Sequence, residues 1–359
     1  MQGRTKKWKR FIKGAITVIN FGVVGCGRVA GVHTEAIAEA DHANLYALCD
    51  IDHNRIRKYA DHYQVENVYT DFEAMLRNPA VDVVNICTPH GLHAEMAVRA
   101  MEAGKHVMIE KPLAPTLEEA DRIIKTAKRH RVKATVVQQN RFNEAILTTR
   151  RALQEERFGK LTYGTAYIRW RREQDYYDQD AWRGTKAMAD GVLMNQAIHT
   201  IDLLVWLMGP VKRVTGRTAT SQHRLEMEDL GIAMLEFESG TLGIVDGTTT
   251  VFPSDLGAGL NLFGQNGMVC IGGNAANRIE KWRFGRDFQQ EENQVLALQK
   301  ENPASVYGIG HKHCVKDFVQ AIREDHNPFI SLEDGRYALK LILAIYQSNT
   351  TGLPVDLTK

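Results

Sequence analysis

Two segments far apart in the chain carry the residue types that alcohol–carbonyl chemistry needs. Lys105-His106-Val107-Met108-Ile109-Glu110-Lys111-Pro112 reads as a buried strand ending in a lysine. Gly191 through Asp202 reads as a helix with Asn195, His199 and Asp202 spaced i, i+4 and i+7, and so on one face. A lysine on a rigid strand end can hold a substrate hydroxyl and stabilise the alkoxide that forms as hydride leaves. A histidine titrates near neutrality and can take the hydroxyl proton. Taken singly, His199 reads as a satisfied core residue, because Leu203, Leu204 and Trp206 make its helix largely buried. The pairing with Lys111 is what points to catalysis.

A cofactor signal lies upstream. Gly25-Cys26-Gly27-Arg28-Val29-Ala30 follows the apolar run Thr17–Val24 and precedes a helical segment. Gly25 allows the tight turn, Gly27 lets the backbone approach a pyrophosphate, and Ala30 keeps helix and strand close. Asp50 ends the next strand, where a carboxylate accepts ribose hydroxyls and repels a 2′-phosphate. NAD is therefore favoured over NADP, although Arg55 and Arg57 leave NADP open. Thr88 and Pro89 follow the strand-like run Val81–Cys87 and should border the nicotinamide half, with His90 and His93 close by. His93 reads first as a packing or capping group at its helix start. The histidines lack an acid or cysteine at ligand spacing, so no metal is expected.

These groups need a scaffold, and the hydrophobic pattern supplies one. Strand-like runs at Thr17–Val24, Asn44–Cys49, Val81–Cys87, His106–Ile109 and Lys133–Val137 alternate with helical segments. That pattern predicts a parallel sheet covered on both faces, a Rossmann dinucleotide-binding domain over residues 16–139. Thr116 with Glu119 is a candidate capping box, and Gly104 a helix end. Residues 140–359 predict an α+β domain with a large, mostly antiparallel, open-faced sheet. Its expected elements are a helix at Arg141–Arg157, a strand at Leu161–Trp170, a helix at Leu193–Met208, four strands between Val211 and Ile271, and late helices at Val315–Arg323 and Glu333–Ser348.

The loop between Trp170 and the Leu193 helix is aromatic and basic. Aromatic faces stack on sugar rings or bases, and arginine forks bind carboxylate or phosphate. Arg169, Tyr176 and Trp182 are the candidate substrate contacts, with Asn195 orienting the ring; His311, at the start of a late helix, could reach the same site. The alternative is that the loop residues pack at a sheet edge or subunit interface.

At 359 residues and 44% hydrophobic the chain can bury a two-domain core, and a net charge of +2 argues for no special partner. Residues 1–15 form a basic tail with Arg4, Lys6, Lys7, Lys9, Arg10 and Lys13 and no acid. The tail alone would suggest nucleic acid or an anionic membrane, and it reads more simply as a disordered start. No run approaches the ~20 apolar residues of a membrane span. Five scattered cysteines read as free thiols in a reducing cytoplasm.

Gly25–Ala30, Thr88-Pro89 with His93, Glu110-Lys111-Pro112, and Gly191 through His199 to Asp202 together resemble the glucose–fructose oxidoreductase and inositol dehydrogenase family of NAD(P)-dependent oxidoreductases. The resemblance covers most of the chain. It implies that Lys111 and His199 act on the substrate hydroxyl, that Gly25, Gly27, Arg28, Val29, Asp50, Thr88, Pro89, His93, Glu110 and Lys111 line the cofactor side, and that two or four copies associate through the open sheet. The family often has aspartate at the position of Asn195 and a fuller glycine run where Asp190-Gly191 stands; members resembling nucleotide-sugar 3-dehydrogenases share the asparagine. The expected activity is hydride transfer between the nicotinamide and a ring hydroxyl of a sugar, sugar acid, nucleotide sugar or cyclic polyol. A glycosidase using transient oxidation by NAD and a non-catalytic NAD-binding regulator are the competing readings.

Overall fold

The computed structural model describes residues 18–299 and 308–358, so the basic tail lies outside the described residues. The first sheet contains β1 (Ile19–Val24), β2 (Ala43–Cys49), β3 (Asn67–Tyr69), β4 (Val83–Ile86), β5 (His106–Ile109) and β6 (Ala134–Val136), all parallel, in the order β3-β2-β1-β4-β5-β6. Helices α1 (Ala30–Ala38), α2 (His53–Tyr63), α3 (Phe72–Arg77), α4 (His93–Glu102) and α5 (Leu117–His130) make the crossovers. With helices on both faces the strands are buried throughout, which is why Phe21, Val23, Val83, Val84, Val107 and Met108 leave no accessible surface. The strand order reverses between β1 and β4, and this opens a crevice at the carboxyl ends of the strands.

Local sequence explains the turns. Gly25 sits at φ +88°, and a Cβ there would come within 2.7 Å of the Cys87 carbonyl, so only glycine lets the fingerprint turn pack against the end of β4. Thr116 caps α5 by accepting the Glu119 amide at 3.2 Å. The Glu119 carboxylate reaches back to the Thr116 hydroxyl at 3.0 Å rather than to its amide, so the capping box is only half formed.

The second sheet is built from β7 (Leu161–Arg169), β8 (Val211–Ala219), β9 (Leu230–Phe237), β10 (Leu242–Thr248), β11 (Gly257–Gly264), β12 (Gly267–Gly272), β13 (Arg278–Phe284) and β14 (Val355–Asp356), in the order β13-β12-β11-β7-β10-β9-β8-β14. Every pairing is antiparallel except β7 with β10. The remaining helices are α6 (Glu144–Gln154), α7 (Gln174–Asp178), α8 (Ile198–Met208), α9 (Gln289–Ala297), α10 (Gly310–Glu324) and α11 (Leu332–Thr351). Helices α8 and α11 cover one face of the sheet. On the other face Ile232, Met234, Leu242 and Ile244 stand exposed on adjacent strands.

Several elements differ from the sequence expectation. The helix expected from Arg141 starts at Glu144, after a 3-10 turn over Gln139–Phe142. Arg141 is drawn into the interior, where its guanidinium donates to both Asp202 oxygens at 2.6 and 2.7 Å and lies 3.0 Å from Asp334. The sequence pattern predicts no strand at β11 or β13. The first is glycine-rich and takes its order from β7 and β12 on either side, and the second is a charged edge strand without an apolar alternation. Although the boundary after residue 139 assigns α10 and α11 to the second domain, α10 packs on α1 and α11 on α5. Lys312 there reaches Glu35 and Glu39 at 2.9 and 2.8 Å, and Arg336 grips Asp121 through two bonds of 2.6 and 3.0 Å.

Candidate active site

One cleft of about 1270 Å³ runs from the fingerprint turn to the start of α8. Small-molecule pockets typically occupy about 300–1,000 Å³, so the cleft has room for a dinucleotide and a second molecule. Gly25, Gly27, Arg28, Val29, Asp50, Thr88, Pro89, Glu110 and Lys111 line it on the Rossmann side; Tyr176, Trp182, Asn195 and His199 line it on the other.

The dinucleotide end fits the expected cofactor. A Cβ on Gly27 would meet no heavy atom within 4 Å, so the backbone there faces open space of the kind a pyrophosphate fills. The Tyr59 hydroxyl braces this turn by donating to the Gly27 carbonyl at 2.9 Å. Asp50 accepts the backbone amides of Cys26 at 2.7 Å and Asp52 at 2.9 Å, which fixes its carboxylate at the adenosine end. From the second domain, Gln179 accepts Arg28 at 2.5 Å and Asp180 accepts Arg55 at 3.2 Å, so the α7 loop leans across the cleft. Arg55 is thereby occupied with a carboxylate. The thiols of Cys26 and Cys49 are pushed up to about 12, chiefly by burial, and stay inert.

At the other end Lys111 leaves β5 through a cis bond to Pro112. Its Nζ donates to the Asn195 main-chain carbonyl at 2.8 Å and to Asn195 Oδ1 at 2.9 Å. Asn195 lies within a π turn over Leu193–Ala197, a local departure from the regular helical ladder. The same turn alters the repeat between Asn195 and His199, whereas His199 and Asp202 keep their i, i+3 spacing within α8. Asn195 and His199 reach the cleft, whereas Asp202 lies one turn on, away from the cleft and bound to Arg141.

Burial and the adjacent Lys111 ammonium push His199 down to about 3, so its imidazole is neutral. Its Nδ1 is buried without a hydrogen-bond partner among the described residues. Burial lowers the Lys111 amine as well, while Glu110 and Asp190 act to hold its proton.

Glu110 anchors the lysine from behind. Asn85 Nδ2 donates to His33 Nδ1 at 2.9 Å, which leaves the His33 proton on Nε2 to donate to Glu110 Oε1 at 2.7 Å. His311 Nε2 stands 3.5 Å from the same oxygen, and the Lys111 amide donates to Oε2 at 3.1 Å. Burial works against the Glu110 charge, yet the bonds from His311 and His33 hold its carboxyl well below the usual range. The three side chains have metal-binding types, but a 2.7 Å nitrogen–oxygen contact is a hydrogen bond, shorter than the ~3.3 Å between ligands about 2.0–2.1 Å from one ion. His33 and its link to Glu110 escaped the sequence reading, since a histidine inside a helix gives no sign of a distant carboxylate.

Two sequence-derived site residues lie elsewhere. Arg169 ends β7 on the open face of the sheet, outside the cleft, and its guanidinium donates to Asp246 at 2.6 Å. Strand alternation is the reason: Ala166 and Ile168 point inward, so Arg169 must point out. His93 does not line the cleft either. It is fully buried, with its two ring nitrogens against the carbonyls of Pro112 at 2.8 Å and Thr88 at 2.9 Å, and it pins those two loops together. Arg172 and Arg183 supply the cleft's second-domain cations instead; Arg183 donates to the Tyr176 hydroxyl at 2.8 Å, and Trp182 packs edge-on against His90 with ring centroids 5.5 Å apart.

The chain matches a model of an oxidoreductase family with an NAD-binding Rossmann fold over residues 19–138, and the C-terminal domain of the same family over residues 146–270. The chain belongs to the Gfo/Idh/MocA oxidoreductase family. Among its relatives, the WlbA dehydrogenase of Bordetella pertussis, solved in complex with NADH and UDP-GlcNAcA, is 34% identical, with 95% of this chain and 98% of that chain covered and a TM-score of 0.88. The myo-inositol 2-dehydrogenase of Thermotoga maritima is 25% identical over 347 residues, 92% of this chain and 96% of that protein. A levoglucosan dehydrogenase bound to NADH and levoglucosan is 23% identical with a TM-score of 0.85, a likeness of fold. As a Gfo/Idh/MocA oxidoreductase this chain is a dehydrogenase of the sugar and polyol type, and its Rossmann domain is the family's NAD-binding module. Among the described residues no helix is long and apolar enough to cross a membrane.

Proposed function

We propose that this chain is an NAD-dependent dehydrogenase of a ring hydroxyl on a nucleotide-linked sugar acid. The observation that carries the reading is the convergence of Lys111 and His199 on one cleft that is continuous with the dinucleotide turn. Bound NAD would supply the two-electron acceptor that takes hydride from the carbinol carbon, giving ketone, NADH and one proton. Lys111 holds the reacting oxygen and offsets the charge that builds on it. His199 is neutral, so its imidazole can accept a hydrogen bond from the substrate hydroxyl and take the proton as hydride leaves. Arg172 and Arg183 suit carboxylate and phosphate oxygens, and Tyr176 and Trp182 suit the faces of a sugar or base. The 34% identity to a dehydrogenase solved with UDP-GlcNAcA supports that substrate class.

The test is absorbance of NADH on mixing the protein and NAD with UDP-linked uronic acids, free uronic acids, aldoses and cyclitols. Turnover confined to UDP-linked acids is expected. Turnover of free cyclitols alone would sink the substrate class, and aglycone release without net NADH would make the protein a glycosidase.

The open sheet face supports self-association. Ile232, Met234, Leu242 and Ile244 form a contiguous apolar patch, bordered by the Arg169–Asp246 pair. Sedimentation velocity should show a homodimer or homotetramer that Met234→Lys dissociates; a monomeric native protein would refute it.

A further inference from the structure

Lys111 has three N–H donors, and two of them are spent on Asn195, leaving one for a substrate oxygen. The arrangement depends on the Asn195 amide keeping Oδ1 toward the lysine. Its Nδ2 donates to Asp190 Oδ1, and Asp190 is itself buried and fixed by the Gly184 amide, which donates to Oδ2 at 2.8 Å. A carboxylate only accepts and an ammonium only donates, so the amide between them has one satisfied orientation.

We propose that Asp190 is the positioning carboxylate of this site, acting through Asn195 to aim the Lys111 ammonium and to keep it charged. The inference rests on the reading of Lys111 as the group that holds the substrate oxygen. Asp190 does not line the cleft, and its side chain reaches Lys111 through one amide.

The charges around Lys111 support the assignment. Glu110 at the strand end and Asp190 before the helix are the anions that act on it, and Arg183 is the opposing cation. The imidazoles of His90, His93, His199 and His311 also feel Lys111, and burial holds all four below their ordinary values, so they add no positive charge near neutrality. Glu110 is already committed to His33 and His311. Glu228, the next buried carboxyl, accepts Leu193 and Tyr346 and is raised to about 7, mainly by burial. Burial pushes the Asp190 carboxyl up, and the Gly184 amide, Arg183, Lys111 and Asn195 pull it back down; it is the carboxyl linked to Nζ through a side chain.

The neutral-amine fraction of Lys111 can be read without substrate, by lysine acylation and mass spectrometry across neutral to alkaline pH. Asp190→Asn should raise Lys111 labelling at pH 7 by about tenfold, because loss of the anion weakens the ammonium's hold on its proton. Adding Asn195→Asp to that variant puts a carboxylate directly against Nζ and should return labelling to the native level or below. Melting temperature and NADH binding, read on each variant, report folding. Unchanged labelling in Asp190→Asn would overturn the proposal. So would equally raised labelling in both variants, which marks a loosened loop. Failure of every sugar to react with the native protein would sink the substrate reading and leave this result standing. If turnover is found, Asp190→Asn should lower kcat more than it changes KM and bring the alkaline loss of rate to lower pH.

Discussion

Lys111→Met is expected to lower kcat/KM by about 10²–10³-fold, the usual cost of removing one preorganised donor to a developing oxyanion. Methionine keeps the unbranched stem and removes the three donors. Dinucleotide binding should change little, because the contacts of Nζ are with Asn195 and not with the fingerprint turn. Lys111→Arg should not restore the rate. A planar guanidinium cannot give two bonds to one asparagine and a third to substrate from a single nitrogen. Initial rates with NADH fluorescence titration decide the matter. A Lys111→Met protein within tenfold of native would remove the lysine from the chemistry, and one that fails to bind NADH would show its role to be structural.

His199→Gln should reduce kcat by about 10²–10⁴-fold, since glutamine fills the space but its amide cannot serve as a base. It should also change stability in acid, and the sign is fixed by linkage. The imidazole binds its proton near 6.5 in the unfolded chain and only near about 3 in the fold. Below about pH 6.5 the unfolded state takes up a proton that the folded state refuses, so stability is lost as pH falls. At pH 5 this one residue costs on the order of 2 kcal/mol. Urea unfolding at pH 7 and pH 5 should show a smaller acid loss for His199→Gln than for the native protein. His90, His93, His106 and His311, which burial also depresses, add to the residual loss, while Glu228, raised to about 7, works against it. A variant with an unchanged acid slope would mean that His199 already titrates normally in the fold.

Much of this site was legible because it depends on short-range order. A glycine at the end of one strand, an acid at the end of the next and a lysine at the end of the fifth must all reach the same crevice once the strands are parallel, since parallel strands share a carboxyl edge. The elements that were missed lack local signals. Strand β11 has glycine where alternation would show, and β13 is charged on its exposed positions; each is a strand because a neighbour supplies its hydrogen bonds. The basic, aromatic loop beside it predicts Arg169 in the cleft, yet the period of two in a strand sends it to the opposite face from Ile168.

By itself the sequence determined the oxidoreductase class, the parallel sheet of the cofactor domain and Lys111 with His199 as the candidate pair, because residue type and local periodicity are properties of the chain. Only the tertiary structure decided how the pair is held. The Lys111–Asn195 bonds, the Asn85–His33–Glu110 chain and the diversion of Asp202 to Arg141 join residues distant in sequence, and the Asp190 carboxylate meets the Asn195 amide through the fold of the loop before the helix. Hydrogen bonds of that kind depend on the three-dimensional placement of buried polar groups, each of which must find a partner once water is excluded, and no spacing rule encodes which partner it finds.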